Sequence, residues 1–214
     1  MNHARVGPLP PVSGDDDGPK GHEVSGTQDW RGRRWEETHE RIYATAMRLF
    51  QEQGFEQVSV GQIASGAGVT GPTFYAHYPS REHLVMQLPT ADELSALLGS
   101  EPSDLSVGER IRRAAPAWFA SWTPEFRDAQ LARWRVIATT PVLRTRAAQF
   151  ERTTAEMITD ALPRESSAGG PAESITVNAY LTAYTAGLLA WADGNDERKL
   201  EELIDEAFDV LEGR

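Results

Sequence analysis

Between Ser59 and Pro79 the sequence leaves room for two helices of about two turns each, joined by a tight turn. Ser59-Val60-Gly61-Gln62 has capping-box spacing, in which the serine oxygen and the glutamine side chain cover the free amides of a helix start. Val60, Ile63, Ala64 and Ala67 then fall on one apolar stripe. Gly68 marks the turn, and Thr70 is a good N-cap for the next helix. Val69 before that cap and Phe74 after it have the spacing of a hydrophobic staple. Pro72 sits in the first turn, where its missing N–H costs little. Two short helices around a glycine-containing turn make a helix-turn-helix, whose second helix enters the major groove of DNA. The unit spans residues 60–79, with Val60–Gly66 as its first helix and Thr70–Tyr78 as its second.

The flanks are helical as well. Ile42, Ala46, Leu49 and Phe50 share one helix face, and Gly54 stops that helix as a left-handed residue would. Ser80 caps a fourth helix containing Leu84, Val85 and Leu88, which Pro89 should break or kink. Thr90-Ala91-Asp92-Glu93 has the spacing for a restart. Further helices are expected over Val107–Trp122, Pro124–Thr139, Val142–Leu162, Ala172–Ala192 and Asp196–Leu211, with residues 163–171 as a loop. With no strand pattern and no repeat, the fold class is all-α. The expected organisation is a disordered extension over 1–34, a DNA-binding head over 35–88 that starts its helix at Trp35, and a helical regulatory and dimerisation domain over 89–214. Five glycines, four prolines and the run Asp15-Asp16-Asp17 place Met1 to about Asp29 outside any core.

Composition narrows the partners. The net charge of −11 argues against coating nucleic acid through bulk charge. Residues 30–90 carry six basic and six acidic side chains, so the head is the least negative region and any DNA affinity must come from local placement of basic groups, helix termini and hydroxyls. The absence of cysteine excludes disulfides and thiolate metal sites and fits a reducing cytoplasm. The first 29 residues contain no apolar signal region, and Val177–Ala192 is short for a membrane span and carries Asn178, Thr182 and Thr185, so no membrane partner is expected.

From Arg41 to Leu88 the chain resembles the DNA-binding domain of the TetR family. The matching residues are Ala46, Leu49-Phe50, Gly54-Phe55, Ser59-Val60, Ile63-Ala64, Ala67-Gly68-Val69 and the run Thr73 to Glu82. The resemblance implies a dimeric regulator that reads double-stranded DNA at a pseudo-palindromic operator. Its candidate contacts are Ser59, Thr70, Gly71, Pro72, Thr73, Tyr75, His77 and Arg81. Thr70 offers a hydroxyl and free helix amides to a phosphate, or serves simply as the cap. Gly71 stands in a position where many family members have a basic residue, so guanine reading from there is in doubt, and Pro72 is left to touch a thymine methyl. Thr73 is the next outward position. The resemblance carries backbone contacts to Tyr75 and His77 and a phosphate contact to Arg81. Arg31, Arg33 and Arg34 either form an arm along the phosphates or a solvated cluster beside Glu36, Glu37 and Glu40.

Residues 91–214 resemble the regulatory domains of the same family, and Arg133–Arg144 is similar to a segment of mycofactocin-type actinobacterial members. Trp118, Trp122, Phe126, Trp134, Tyr180 and Tyr184 are read as the lining of an apolar cavity for a small-molecule effector, or else as ordinary core. Arg133 and Arg135 could meet an anionic ligand group, although surface salt bridges are the simpler reading. The last two helices suit a homodimer interface. Ala179, Ala183, Ala186, Gly187 and Ala190 permit close approach, and the stripe Leu200, Leu203, Ile204, Ala207, Phe208 and Leu211 serves either that interface or the protomer's own core.

Two other classes compete. An enzyme would need an assembled site. The five histidines do not form a ligand set, Glu36-x-x-His39 occurs once where a di-iron bundle needs two such motifs, and GxSxG, phosphate-loop and HExxH patterns are absent. No cofactor or metal is therefore expected. The other class is a helical binding protein whose head has lost DNA, which the neutral tip keeps open.

Overall fold

The computed structural model describes residues 25–87, 90–102, 104–161, 170–194 and 198–214. These residues are helical, with no strand among them. Residues 1–24, Leu88 with Pro89, and most of 163–171 lie outside the described residues, so the expectations for the early extension, the Pro89 break and that loop are not addressed by it. The chain divides into two compact units between Leu84 and Val85.

The first unit is the head. Helix α1 (Ser25–Gln53) begins ten residues before Trp35, so residues 25–34 are helical and not part of a disordered extension. Two local contacts account for the added turns: the Arg34 guanidinium lies 5.4 Å from the centre of the Trp30 ring, and Thr38 Oγ1 donates to Arg34 O at 2.9 Å. These turns extend a helix already anchored by its buried Ile42, Ala46, Leu49 and Phe50, so they need no new nucleus. Gly54 ends α1 with φ +84°, a region that residues with a side chain rarely adopt. A short 3-10 turn, Phe55–Gln57, then buries Phe55 against Phe50, ring centres 4.9 Å apart.

Helix α2 (Val60–Gly66) starts at the expected capping box: Ser59 Oγ accepts from Gln62 N, and Ser59 N donates to Gln62 Oε1. Gly66 lies against α1, where an added Cβ would sit 2.9 Å from Thr45 Cγ2. Helix α3 (Gly71–His77) follows the turn at Gly68, with Thr70 Oγ1 accepting from Thr73 N. Phe74 is fully buried and Val69 partly so. Helix α4 (Arg81–Val85) closes the sequence of head helices.

The second unit contains α5 (Ala91–Gly99), α6 (Val107–Ala120), α7 (Pro124–Thr139), α8 (Pro141–Ala161), α9 (Pro171–Asp193) and α10 (Leu200–Glu212). Capping boxes at Thr90 and Ser106 and a threonine cap at Thr123 set three of the starts. Helix α9 is apolar on most of its faces and packs against α6, α7, α8 and α10, which makes it the centre of the unit. Leu98, Ile111, Phe119, Ile204 and Phe208 are among the buried side chains around it, and Leu188 is among its own.

Two glycines permit close packing here. An added Cβ on Gly108 would meet the Tyr180 ring at 2.6 Å, and one on Gly187 would lie 2.6 Å from Ile204 Cδ1 and 3.3 Å from Ile204 Cα. Gly187 thus fits α9 to α10 within one protomer. The stripe on α10 divides: Leu200, Ile204 and Phe208 are buried in the core, whereas Leu211 is exposed. Arg112 joins Asp209 and Glu212, Arg127 joins Glu201, and the buried Arg110 donates to Leu98 O at 2.6 Å.

Candidate nucleic-acid interface and effector cavity

The outward surface of the helix-turn-helix is short and uncharged. Thr70 and Pro72 are exposed, and Gly71 and Thr73 are half-buried. The hydroxyls of Thr70 and Thr73 lie 2.8 Å apart. A Cβ at Gly71 would meet no atom within 4 Å, so the glycine leaves open space at the tip instead of filling a packing need. Tyr75 stands 57% exposed, edge-on to the buried Phe74 ring at 5.4 Å. Ser59 is exposed at the start of α2, with its hydroxyl committed to Gln62. Arg33 and Arg34 are exposed on the first turns of α1, which corrects the expectation of an arm preceding that helix.

Two expected contacts are held elsewhere. His77 is buried, with its ring stacked on Trp35 at 4.6 Å. Trp35 also stacks on His39 at 4.9 Å, and His39 stacks on Tyr78 at 4.2 Å. Tyr78 completes the cluster by donating its hydroxyl to His39 O. His77 therefore fastens α3 to α1 and does not face outward. The reason is helical phase: His77 follows the buried Phe74 by three positions, a near-complete turn. Arg81, in turn, donates through Nη1 to the carbonyls of Phe55 and Val58, and its guanidinium lies 4.8 Å from the Phe55 ring centre. It clamps the 3-10 turn, which a lone arginine before a helix gives no sign of doing.

Arg41 and His39 are contributors that sequence reasoning missed. Arg41 Nε donates to Ala67 O at 2.9 Å and so holds the end of α2 to α1. The available signal was the i, i+4 spacing of Trp35 and His39 on a helix face otherwise rich in charge. Burial, and then the nearby His77, push the His39 pKa down to about 4. Burial, and then Arg41, lower that of His77. Neither Nδ1 has a hydrogen-bond partner.

The sign of the linkage follows. Both imidazoles are neutral in the folded head, and an unfolded histidine takes up its proton near 6.5. Stability is fully present above that value and is lost as pH falls from about 6.5 through about 4. Thermal unfolding of the full chain is expected to show a pH-dependent loss over this window that His39→Phe reduces, since phenylalanine keeps the stack. Identical pH profiles for the two proteins would show that the cluster is not responsible.

The larger unit contains a partly open cavity of about 240 Å³ with a mainly apolar lining. It brings together Trp118, Trp122, Phe126, Trp134 and Tyr184, five of the six aromatics expected there. Tyr180 is not among them. Its ring packs on Phe208 at 5.2 Å and against Gly108, and its hydroxyl donates to Glu212 at 2.6 Å. Although Tyr180 and Tyr184 are one turn apart, Gly108 opens a slot that draws Tyr180 towards α6 and α10. Phe150 on α8 also lines the cavity. The polar lining includes Gln87, Gln130 and Arg133, with Arg133 Nη1 donating to Gln87 Oε1 at 3.2 Å. Burial pushes the Tyr184 hydroxyl pKa up, and Arg133 opposes that shift.

Both units match known families. The model for bacterial regulatory proteins of the tetR family matches residues 42–88, and the model for the MftR C-terminal domain matches residues 105–214, just over half the chain. The regulator EthR of Mycolicibacterium smegmatis is 39% identical over 70 residues, which cover 30% of this chain and 32% of EthR. The chain thus spans about a third of that relative's length, and 40% of EthR from Mycobacterium tuberculosis. MftR of Mycobacterium tuberculosis is 27% identical over 188 residues, covering 84% of this chain and 92% of its own length. Among solved structures, NalD of Pseudomonas aeruginosa, described as the secondary repressor of the MexAB-OprM multidrug efflux pump, superposes with a TM-score of 0.52 at 20% identity. That match covers 85% of this chain and 96% of NalD, and it shows a shared fold. No helix among the described residues is long and apolar enough to cross a membrane.

Proposed function

The chain belongs to the TetR family of bacterial regulatory proteins, and from that premise we propose that it is a sequence-specific DNA-binding transcriptional regulator, not an enzyme. In this reading it is a cytoplasmic repressor that binds a pseudo-palindromic operator as a homodimer and releases it when a small, largely apolar effector fills the cavity. The observation that carries the reading is the pairing of an exposed helix-turn-helix tip with an aromatic-lined cavity in a separate unit. The tip reads through Thr70, Pro72, Thr73 and Tyr75, with Gly71 leaving room for close approach and Ser59 beside them. With no basic side chain at the tip, phosphate affinity leans on helix amides, hydroxyls and the basic turns of α1.

The proposed dimer uses α9 and α10. Ile175, Thr182, Ala186 and Ala190 are exposed along one side of α9, and Ala179 is half-buried on the same side. Val210 is 74% exposed on α10. Two recognition helices related by a two-fold axis would read half-sites one DNA turn apart. Effector binding shifts the population of head spacings because it binds one spacing more tightly.

Selection from random duplexes, together with the chain's own upstream region, tests the reading. Enrichment of a palindromic site supports it, and no enrichment at low salt overturns it. A second measurement addresses α1. Arg33→Ala with Arg34→Ala is expected to weaken binding to every duplex alike and to flatten the salt dependence by roughly one to two phosphate equivalents. Unchanged affinity at low salt would remove these residues from the interface.

A further inference from the structure

We propose that the effector is a one- or two-ring aromatic compound carrying an acceptor oxygen, held by the indole N–H of Trp122 and the guanidinium of Arg133. This inference rests on the proposal that the cavity is an effector site and adds the chemistry of what fills it.

Size sets the first limit. A cavity of 150 Å³ accommodates benzene, and drug-sized ligands occupy roughly 300 Å³ or more. The present 240 Å³ lies between them and, scaled from benzene, corresponds to about ten non-hydrogen atoms, with room for a polar group on the open side of the cavity. The walls set the second limit. Trp118, Trp122, Phe126, Trp134, Phe150 and Tyr184 all line one partly open cavity, and rings in such a frame pack best against another ring, edge-on or offset. The frame already uses this geometry within itself. Trp122 meets Phe119 and Phe126 at 5.2 and 5.3 Å with nearly perpendicular planes, and Tyr184 stacks on Phe119 at 5.9 Å.

The acceptor oxygen follows from the polar atoms. Trp122 Nε1 is buried and has no hydrogen-bond partner. An indole N–H can only donate, and a buried donor without an acceptor is costly, so a ligand oxygen relieves a deficit that the protein leaves open. Arg133 supplies the one cation among the lining residues. It lies 5.8 Å from the Trp134 ring centre and acts electrostatically on the Tyr184 hydroxyl, which places its charge among the aromatic walls. The two lining carboxylates are engaged elsewhere. Glu93 accepts from Thr90 N and Oγ1 at the start of α5, and Glu151 accepts from the exposed Thr182. The lining thus holds one cation and one unpartnered donor, while both of its carboxylates already accept hydrogen bonds.

Equilibrium dialysis of the full chain without DNA tests this with four probes: 2-naphthoate, 2-acetylnaphthalene, naphthalene and laurate. Both oxygen-bearing aromatics are expected to bind about tenfold more tightly than naphthalene, the difference made by one or two buried hydrogen bonds. Trp122→Phe removes wall surface as well as the donor, so it should weaken both probes but 2-acetylnaphthalene more, narrowing the gap between 2-acetylnaphthalene and naphthalene. Arg133→Met should weaken 2-naphthoate more than 2-acetylnaphthalene. Naphthalene binding as tightly as the oxygenated probes, or laurate binding more tightly than all three, overturns the inference. Because binding is read without DNA, its failure is distinct from that of the regulator reading. A chain that takes 2-naphthoate but selects no operator defeats only the latter, and one released from its operator by laurate alone defeats only the former.

Discussion

Replacing Tyr75 by alanine is expected to weaken duplex binding about ten- to a hundredfold while leaving the unfolding temperature nearly unchanged. Two features of the ring separate these effects. It is 57% exposed, with its ring edge-on to Phe74 at 5.4 Å, so little packing is lost with it. It also lies on α3 next to the buried Phe74 but about 100° round the helix from it, which leaves the ring turned to solvent. Tyr75→Phe then isolates the hydroxyl: loss of most of the affinity assigns the contact to the oxygen, and retention assigns it to the ring. Binding by Tyr75→Ala equal to that of the parent chain would move the interface off this face of α3. His77→Ala serves as the contrast, because its buried, stacked ring should cost the head stability before it costs any direct contact.

The second large effect is in the other unit. Phe208→Ala removes a side chain with no exposed surface, packed against Tyr180 and within 6.0 Å of the Arg112 guanidinium. Burial of this kind is worth about 3–5 kcal/mol. For a chain of this size that lowers the unfolding temperature by roughly 10 °C. Because Phe208 lies in the protomer core, the loss should be the same at low and high protein concentration, and a loss that disappears with increasing concentration would contradict that placement. Val210→Ala, at an exposed position, should show the opposite pattern if α10 contributes to the dimer.

Helix starts were legible in the sequence because their chemistry is local. Ser59, Thr70, Thr90, Ser106 and Thr123 each cap within three residues, so spacing alone identifies them. Residues whose roles depend on distant partners were not legible. Arg81 reaches 26 residues back to Phe55, and Arg41 reaches 26 residues forward to Ala67. The pattern around each is that of an exposed cation. Tyr180 and Tyr184 look equivalent until Gly108, far away in sequence, proves to face one of them. Gly187 resembled a residue for helix approach between protomers and instead serves α10 of its own chain. The early start of α1 escaped because glycine and polar residues dilute its first turns, and the Trp30–Arg34 contact that supports them is too short-range to produce an apolar period.

The clamp made by Arg81 has a practical consequence for building hybrid regulators. Its guanidinium closes onto Phe55 and Val58, so the first turn of α4 is fastened to the head and belongs to it as a part. A graft that borrows this head for a different sensor should therefore carry the chain through Leu84. A junction placed at the tempting Pro79-Ser80 loop would leave the carbonyls of the 3-10 turn without their donor and yield a reading module with a loosened hinge between α1 and α2.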